Sequence, residues 1–136
     1  MNNQAKIFIS IIGLLILGTL AAVLLQSNSG SSTPAAPSKY AAFAQCLKDK
    51  GATFYGAFWC PHCQAQEASF GITRQDLEKI GLYTECSTPD ANGQTQICID
   101  KKIQSYPTWI FADGSQLNGV IPLQQLADKT SCTLPQ

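Results

Sequence analysis

The stretch FYGAFWCPHCQAQE, Phe54 to Glu67, runs from an apolar segment into a Cys-Pro-His-Cys doublet. The residues before Cys60 are apolar or aromatic on both faces, which predicts a central strand covered by helices on both sides, as in parallel sheets. Pro61 suits the first position of a helix, where its missing N–H costs nothing. A strand that gives way to a helix at a Cys-x-x-Cys pair places Cys60 at a helix N-terminus and Cys63 one turn further on. Such a pair has three uses: a redox disulfide, half of a metal site, or a structural staple.

The rest of the segment from Lys39 to Gln136 divides readily. KYAAFAQCLKDK carries Tyr40, Phe43, Cys46 and Leu47 at helical spacing, with Gly51 as a stop. The helix that opens at Cys60 is expected to run to Phe70 and end at Gly71. RQDLEKIG reads as another short helix, LYTEC as a short strand and STPDANGQ as a loop of turn formers. TQICIDKKI reads as a helix with Ile97, Cys98 and Ile103 inward, and TWIFA as a strand. Asp113-Gly114 makes a hairpin turn into QLNGV, and PLQQLADKTSC closes the chain as a helix with Leu123, Leu126 and Ala127 on one face. The expected order is α-β-α-β-α-β-β-α: a parallel βαβ unit, an antiparallel hairpin and a terminal helix.

In that frame the doublet suits thiol chemistry. Unpaired N–H groups and the dipole of a helix N-terminus stabilise an anion at Cys60. The thiolate is the attacking species in disulfide exchange, so the placement is expected to lower the Cys60 pKa. Cys63 then closes a disulfide with Cys60 and releases a bound substrate, the first thiol exposed and the second shielded. His62 is expected to put a donor or a positive charge near the Cys60 sulfur, stabilising the reduced form and making the disulfide a better oxidant. Farther along, Pro107 in SYPTW stands between a helix and an apolar strand. A cis Tyr106–Pro107 bond would shape a turn there and leave an open face beside the cysteines; a trans proline opening a strand fits the same residues. Trp59 and Trp109 are expected to pack near the site, with Trp59 also a candidate substrate contact.

Composition bears on the compartment. The chain of 136 residues carries six cysteines, Cys46, Cys60, Cys63, Cys86, Cys98 and Cys132, an even count that suggests full pairing in an oxidising setting. Ile7 to Leu25 is free of charge and as a helix would span about 29 Å, the hydrocarbon thickness of a bilayer. The run exceeds a usual signal-peptide core, so a retained signal anchor is expected over residues 7–25, with removal near Ser27-Asn28-Ser29 as the alternative. Lys6 precedes the span and places residues 1–6 in the cytoplasm. Residues 26–38, rich in Ser, Pro, Ala and Gly, read as a flexible tether, and residues 39–136 as the folded domain, on the extracytoplasmic side of the membrane or secreted if the leader is removed. Nine basic and nine acidic residues, with no charged run, argue against a nucleic-acid partner.

CPHC before a helix and Tyr-Pro-Thr before a strand resemble the thioredoxin superfamily. YGAFWCPHC, YTEC, SYPTWIF and the ending GV-x-x-LQQLA resemble more closely the thioredoxin-like domain fused to bacterial and plant vitamin K epoxide reductase homologues. The resemblance spans about Gly51 to Cys132. It implies an α/β thioredoxin-like fold, a central mixed sheet flanked by helices, here preceded by one transmembrane helix. It also implies that Cys60 attacks, that Cys63 resolves and that Pro107 is a cis-proline, with electrons passing from folding proteins to a membrane quinone reductase. Two departures stand out. One membrane span leaves no room for a quinone-binding bundle, so a separate membrane partner is expected to re-oxidise the pair. Many thioredoxin-like proteins carry an acid six positions before the first cysteine, where this chain has Phe54; proton exchange at Cys63 is then left to water or Glu67.

The other four cysteines allow three pairings. Cys86–Cys98 would flank the turn-rich loop and staple the strand to the next helix, as in some members of the resembled family; Cys46–Cys132 then joins the first and last helices. Buried free thiols, or a relay role for Cys86–Cys98, are the alternatives. The expected function is a membrane-anchored thiol–disulfide oxidoreductase, oxidase or isomerase rather than reductase, acting on cysteine-containing extracytoplasmic proteins without a cofactor beyond its own disulfide. Two other classes remain. One is a copper or zinc module using Cys60, His62 and Cys63, although a closed zinc site needs four ligands and His62 is the single histidine. The other is a non-catalytic binding domain with an inert Cys60–Cys63 disulfide.

Overall fold

The computed structural model describes residues 38–136. The segments expected as cytoplasmic N-terminus (1–6) and membrane span (7–25), and all but the last residue of the tether (26–38), lie outside the described residues. Among the described residues no helix is long and apolar enough to cross a membrane.

The first helix, α1 (Ala41–Asp49), buries Phe43, Ala44 and Leu47, one stripe at helical spacing. Gly51 follows with φ 78°, and a side chain there would begin 2.8 Å from the Ala112 Cβ, so both conformation and space call for glycine. Strand β1 (Thr53–Gly56) leads to α2 (Pro61–Phe70), which has Cys60 as its N-cap, proline in its first turn and Gly71 as a left-handed C-cap.

Helix α3 (Arg74–Ile80) starts at a reciprocal cap: the Thr73 hydroxyl accepts from the Asp76 N–H, and the Asp76 carboxylate accepts from the Thr73 N–H. Thr73→Ala removes the hydroxyl's half of the cap and leaves the backbone N–H half, and is expected to lower stability by about 1 kcal/mol. Urea melts of the full chain check this, with the midpoint moving and the slope unchanged.

Next come β2 (Tyr83–Glu85), a five-residue helix α4 (Gln96–Asp100), β3 (Thr108–Ile110), β4 (Gln116–Asn118) and α5 (Leu123–Thr130). The crossover from β1 to β2 therefore holds two helices, one more than the order written from sequence. The four strands lie in the order β2-β1-β3-β4, with β1 parallel to β2 and the remaining pairs antiparallel. A mixed sheet with helices packed against it is consistent with a thioredoxin-like fold.

Alternation along β1 builds two apolar layers. Phe54 is in register with Tyr83 on one side and Trp109 on the other, stacking on the Trp109 ring at 5.1 Å and meeting Tyr83 edge-on at 4.9 Å. This face continues into Phe43, Phe70, Leu77, Leu82 and Leu126. Tyr55 points the other way, into a smaller cluster with Cys86, Cys98 and Ile103. One buried amide locks α2 to the sheet: the Gln66 Oε1 accepts from the Ile121 N–H at 2.7 Å and the Trp109 indole at 3.3 Å, and its Nε2 donates to the Ile121 carbonyl at 3.1 Å. Every polar atom of that side chain is thereby satisfied where an unpaired one would be costly.

Ile97 corrects an expectation. It is 49% exposed, as is Ile99, while Cys98 between them is buried. The helix ends at Asp100, so a single turn offers little periodicity to read, and the Cys86–Cys98 disulfide turns the Cys98 face inward. Its neighbours, about 100° to either side on a 3.6-residue helix, are left at the surface. Ile103, past the helix end, is buried.

Candidate active site

Cys60 and Cys63 carry free thiols, whereas Cys46 is bonded to Cys132 and Cys86 to Cys98. Cys60, with φ −80° and ψ 119°, is in the extended conformation of an N-cap, and Cys63 is inside the first turn of α2. Cys63 is shielded as expected, but Cys60, expected to be exposed, is shielded too. Cys63 is fully buried and Cys60 only 5% exposed, because the chain at Tyr106 covers it. The Cys60 thiol donates to the Tyr106 carbonyl at 3.7 Å.

The Tyr106–Pro107 bond is cis. Pro107 is buried rather than open-faced, and its carbonyl accepts from the Gly119 N–H at 2.9 Å, tying the turn to the end of β4. Trp59 is 48% exposed, not packed in the interior. Its indole N–H donates to the Ser87 hydroxyl at 2.8 Å, and its ring meets Tyr106 edge-on at 6.0 Å. The Gln94 amide donates to both the Tyr106 hydroxyl (2.7 Å) and the Ile103 carbonyl (2.9 Å). Pro61 and His62 are exposed on the first turn, and the hydrogen bond of the Cys60 thiol goes to Tyr106 rather than to His62. Trp109 lies buried beneath the site against Phe54.

The structure therefore brings Trp59, Cys60, Pro61, His62, Cys63, Tyr106 and Pro107 to one end of the sheet, where β1 leaves it and β3 enters. The Cys86–Cys98 disulfide lies beneath the rim, and its loop supplies Ser87 and Gln94 to hold Trp59 and Tyr106. Cys46–Cys132 lies elsewhere, joining α1 to the segment after α5, with Cα atoms 6.0 Å apart.

Behind the thiols is a polar group that local sequence reading passed over. A side chain at Gly56 would begin 2.7 Å from the Tyr83 ring, 3.0 Å from its hydroxyl and 3.1 Å from the Cys63 sulfur. Glycine is what allows this approach. The Tyr83 hydroxyl donates to the Glu85 Oε2 at 3.0 Å, and the Glu85 Oε1 accepts from the N–H groups of Ser87 (2.8 Å) and Phe58 (3.2 Å). Glu67, one turn beyond Cys63 on α2, has a buried Oε1 without a hydrogen-bond partner. Ser87, Gln94, Tyr83 and Glu85 all come from the β2–α4 region; the one local signal was the Glu in YTEC, four residues of an otherwise ordinary strand.

Burial pushes the Cys63 thiol up to about 12, with a backbone hydrogen bond from Ala57 pulling it down and Cys60 and Glu67 adding to the rise. Burial also raises Glu67, against the pull of Arg74, and raises Tyr83, helped by the charge of Glu85. The Cys63 shift sets a sign for stability. The folded thiol keeps a proton that the unfolded chain releases near pH 9, so stability falls as pH rises from about 9 toward 12. Unfolding the reduced protein in urea at several alkaline pH values is expected to show a steeper decline than reduced Cys63→Ala, which keeps only the share from buried groups such as Tyr83.

Among the described residues no group of three or more His, Cys, Asp or Glu side chains is placed to hold a metal ion. What the two thiols can do is exchange: one near a helix N-terminus and next to a backbone turn, the other one helical turn inward. No protein-family model matches the chain. The chain is similar to thiol-disulfide oxidoreductase LTO1 of Arabidopsis thaliana, at 40% identity over 111 residues. That match covers 79% of this chain and spans 27% of the length of the relative.

Proposed function

We propose that this chain is a thiol–disulfide oxidoreductase, anchored in the cytoplasmic membrane by residues 7–25 with its folded domain outside, and that Cys60 and Cys63 are its reacting pair. The observation that supports this best is the division among the cysteines. Four are paired in disulfides away from the helix start, and the two left as thiols are at the N-terminus of α2. The similarity to a protein named for the same activity adds to it.

In the oxidising direction a substrate thiolate attacks the Cys60 sulfur of the Cys60–Cys63 disulfide. The Cys60–Cys63 bond breaks, Cys63 leaves with the electron pair and takes up a proton, and a mixed disulfide joins Cys60 to the substrate. A second substrate thiolate attacks the substrate sulfur of that bond and releases Cys60 as a thiolate. The α2 N-terminus stabilises that anion through its free N–H groups and dipole, which makes Cys60 the better leaving group and favours the reduced protein. Trp59 and Tyr106 are the surfaces a substrate segment meets as it approaches Cys60, and the buried Pro107 shapes the turn beneath them.

Two electrons then reside on the pair and must leave. In the reading closest to the vitamin K epoxide reductase homologues, a separate quinone-reducing membrane protein removes them. The substrates are cysteine-containing proteins outside the cytoplasm, and no cofactor besides the disulfide itself takes part.

The test is a balanced transfer. Oxidised full chain in detergent is mixed, without oxygen, with a reduced, unfolded protein bearing two thiols. For each disulfide formed in the substrate, two thiols are expected on Cys60 and Cys63 by alkylation and mass mapping. Disulfides in the substrate without new thiols on this pair, or no transfer, would remove the proposal.

A further inference from the structure

We infer that Tyr83 and Glu85 form the proton relay of Cys63, a role that in this chain falls to β2 because β1 carries Phe54 where an acid could stand. The inference rests on the disulfide-exchange reading above and extends it to the step in which Cys63 reacts.

The need for a relay follows from the burial of the sulfur. Cys63 is fully buried, so water does not reach it, and burial holds its thiol protonated at neutral pH. A thiol is a poor nucleophile, and a buried thiolate is a poor leaving group. Exchange at Cys63 therefore needs a group that takes the proton in one direction and returns it in the other. The candidate groups around it are few. Cys60 and Glu67 face it from the α2 side and Tyr83 from β2, with Glu85 behind Tyr83; Phe54 on β1 and Trp109 on β3 are not titratable.

Geometry separates these candidates. The Tyr83 hydroxyl and the Cys63 sulfur both lie within 3.1 Å of the point where a Gly56 side chain would begin, on the same side of β1. The hydroxyl is already bonded to the Glu85 carboxylate at 3.0 Å, and Glu85 is part-exposed, giving the chain an outlet to solvent. The Glu67 Oε1 has no hydrogen-bond partner, so no hydrogen-bonded chain leads through it from the thiol to solvent. Register explains why β2 can serve. In the parallel pairing, Tyr83 is opposite Phe54 and Glu85 opposite Gly56, so both β2 groups are carried up to the end of β1 that meets α2.

The step balances within the protein and its substrate. With a mixed disulfide on Cys60, the Cys63 proton passes to the Tyr83 oxygen as the Tyr83 proton passes to the Glu85 Oε2. The Cys63 sulfur then attacks the Cys60 sulfur. The Cys60–Cys63 bond forms and the bond from Cys60 to the substrate breaks. The substrate sulfur leaves with the electron pair and takes a proton from water. Glu85 returns its proton to solvent. Tyr83 and Glu85 touch no substrate and act through Cys63. The reverse sequence protonates Cys63 when it leaves in the oxidising direction.

The experiment uses the reduced full chain in detergent and oxidised glutathione as the probe. Acid quenching and mass measurement follow the protein–glutathione mixed disulfide and its conversion to the internal disulfide. Tyr83→Phe and Glu85→Gln are expected to lengthen the life of the mixed disulfide about a hundredfold near neutral pH, the lower end of what proton transfer contributes. The excess is expected to shrink as alkaline buffer lets hydroxide do the work, while the first step, attack by Cys60, keeps its rate. Equal lifetimes in the variants and the parent would overturn the relay and leave the exchange reading intact. So would a lengthened lifetime in Glu67→Gln but not in Tyr83→Phe, or a slowing of both steps by the same factor, the mark of a merely structural defect. Failure of the parent chain to form any mixed or internal disulfide at this pair would instead overturn the exchange reading, and the relay with it.

Discussion

Cys60→Ser is expected to reduce disulfide transfer to the uncatalysed background, while Cys63→Ser stalls it at a different place. The two sulfurs have unequal positions, and the asymmetry dictates unequal outcomes. Cys60 is the sulfur at the α2 N-terminus, and its removal leaves no group at the rim that an incoming sulfur can bond. A serine hydroxyl in its place cannot take part in sulfur exchange, so the loss is that of a covalent nucleophile, several orders of magnitude. With Cys63→Ser, Cys60 still attacks a substrate disulfide, but no buried thiol follows to release it. Mixed disulfides with substrate are then expected to accumulate as bands that a reducing agent dissolves on gels. Melting curves of both variants are expected to stay close to that of the reduced parent, since neither sulfur is in a stabilising disulfide in this state.

The second large effect is on stability. Cys46 and Cys132 are 86 positions apart in sequence, and their bond ties the first helix to the end of the chain. Closing a loop of this length restricts the unfolded chain by about 4 kcal/mol in the chain-entropy account. Replacing both cysteines with alanine is expected to remove most of that, a large share of the roughly 5–15 kcal/mol that holds a domain of this size together. The Cys86–Cys98 pair closes a separation of 12 and is expected to contribute about 3 kcal/mol. Its removal is expected to do something the other does not: slow exchange at Cys60, because its loop carries Ser87 and Gln94, the partners of Trp59 and Tyr106. Denaturant melts and transfer rates on the two double variants separate these roles.

Local punctuation made much of the fold legible. Pro61 at the start and Gly71 at the end bound α2, and the doubly apolar stretch around Phe54 is the central strand it appears to be from composition alone. These signals are stereochemical and act within a few residues. What stayed hidden depends on distant partners. The face of a five-residue helix is settled by a disulfide, which is why Ile97 lies outside and Cys98 inside. The isomer at Tyr106–Pro107 follows from the surrounding chain: the dipeptide alone accommodates both, and only the family resemblance pointed to the cis form found. The approach of Tyr83 to Cys63 depends on β2 register and on the absence of a side chain at Gly56, and strand register is set by packing across the sheet rather than by any short motif. Cys60 itself shows the same limit: its N-cap position is written in the motif, but its shielding comes from a segment more than forty residues away, at a separation of 46.

The central claim is that Cys60 and Cys63 form a reversible, oxidising redox couple. The direct test is the reduction potential of this pair in the full chain, equilibrated with glutathione buffers and read by alkylation of the two thiols. The account predicts reversible interconversion with a midpoint in the range of about −120 to −180 mV, that of disulfide donors. A midpoint near about −270 mV, that of a reductant such as thioredoxin, would contradict it.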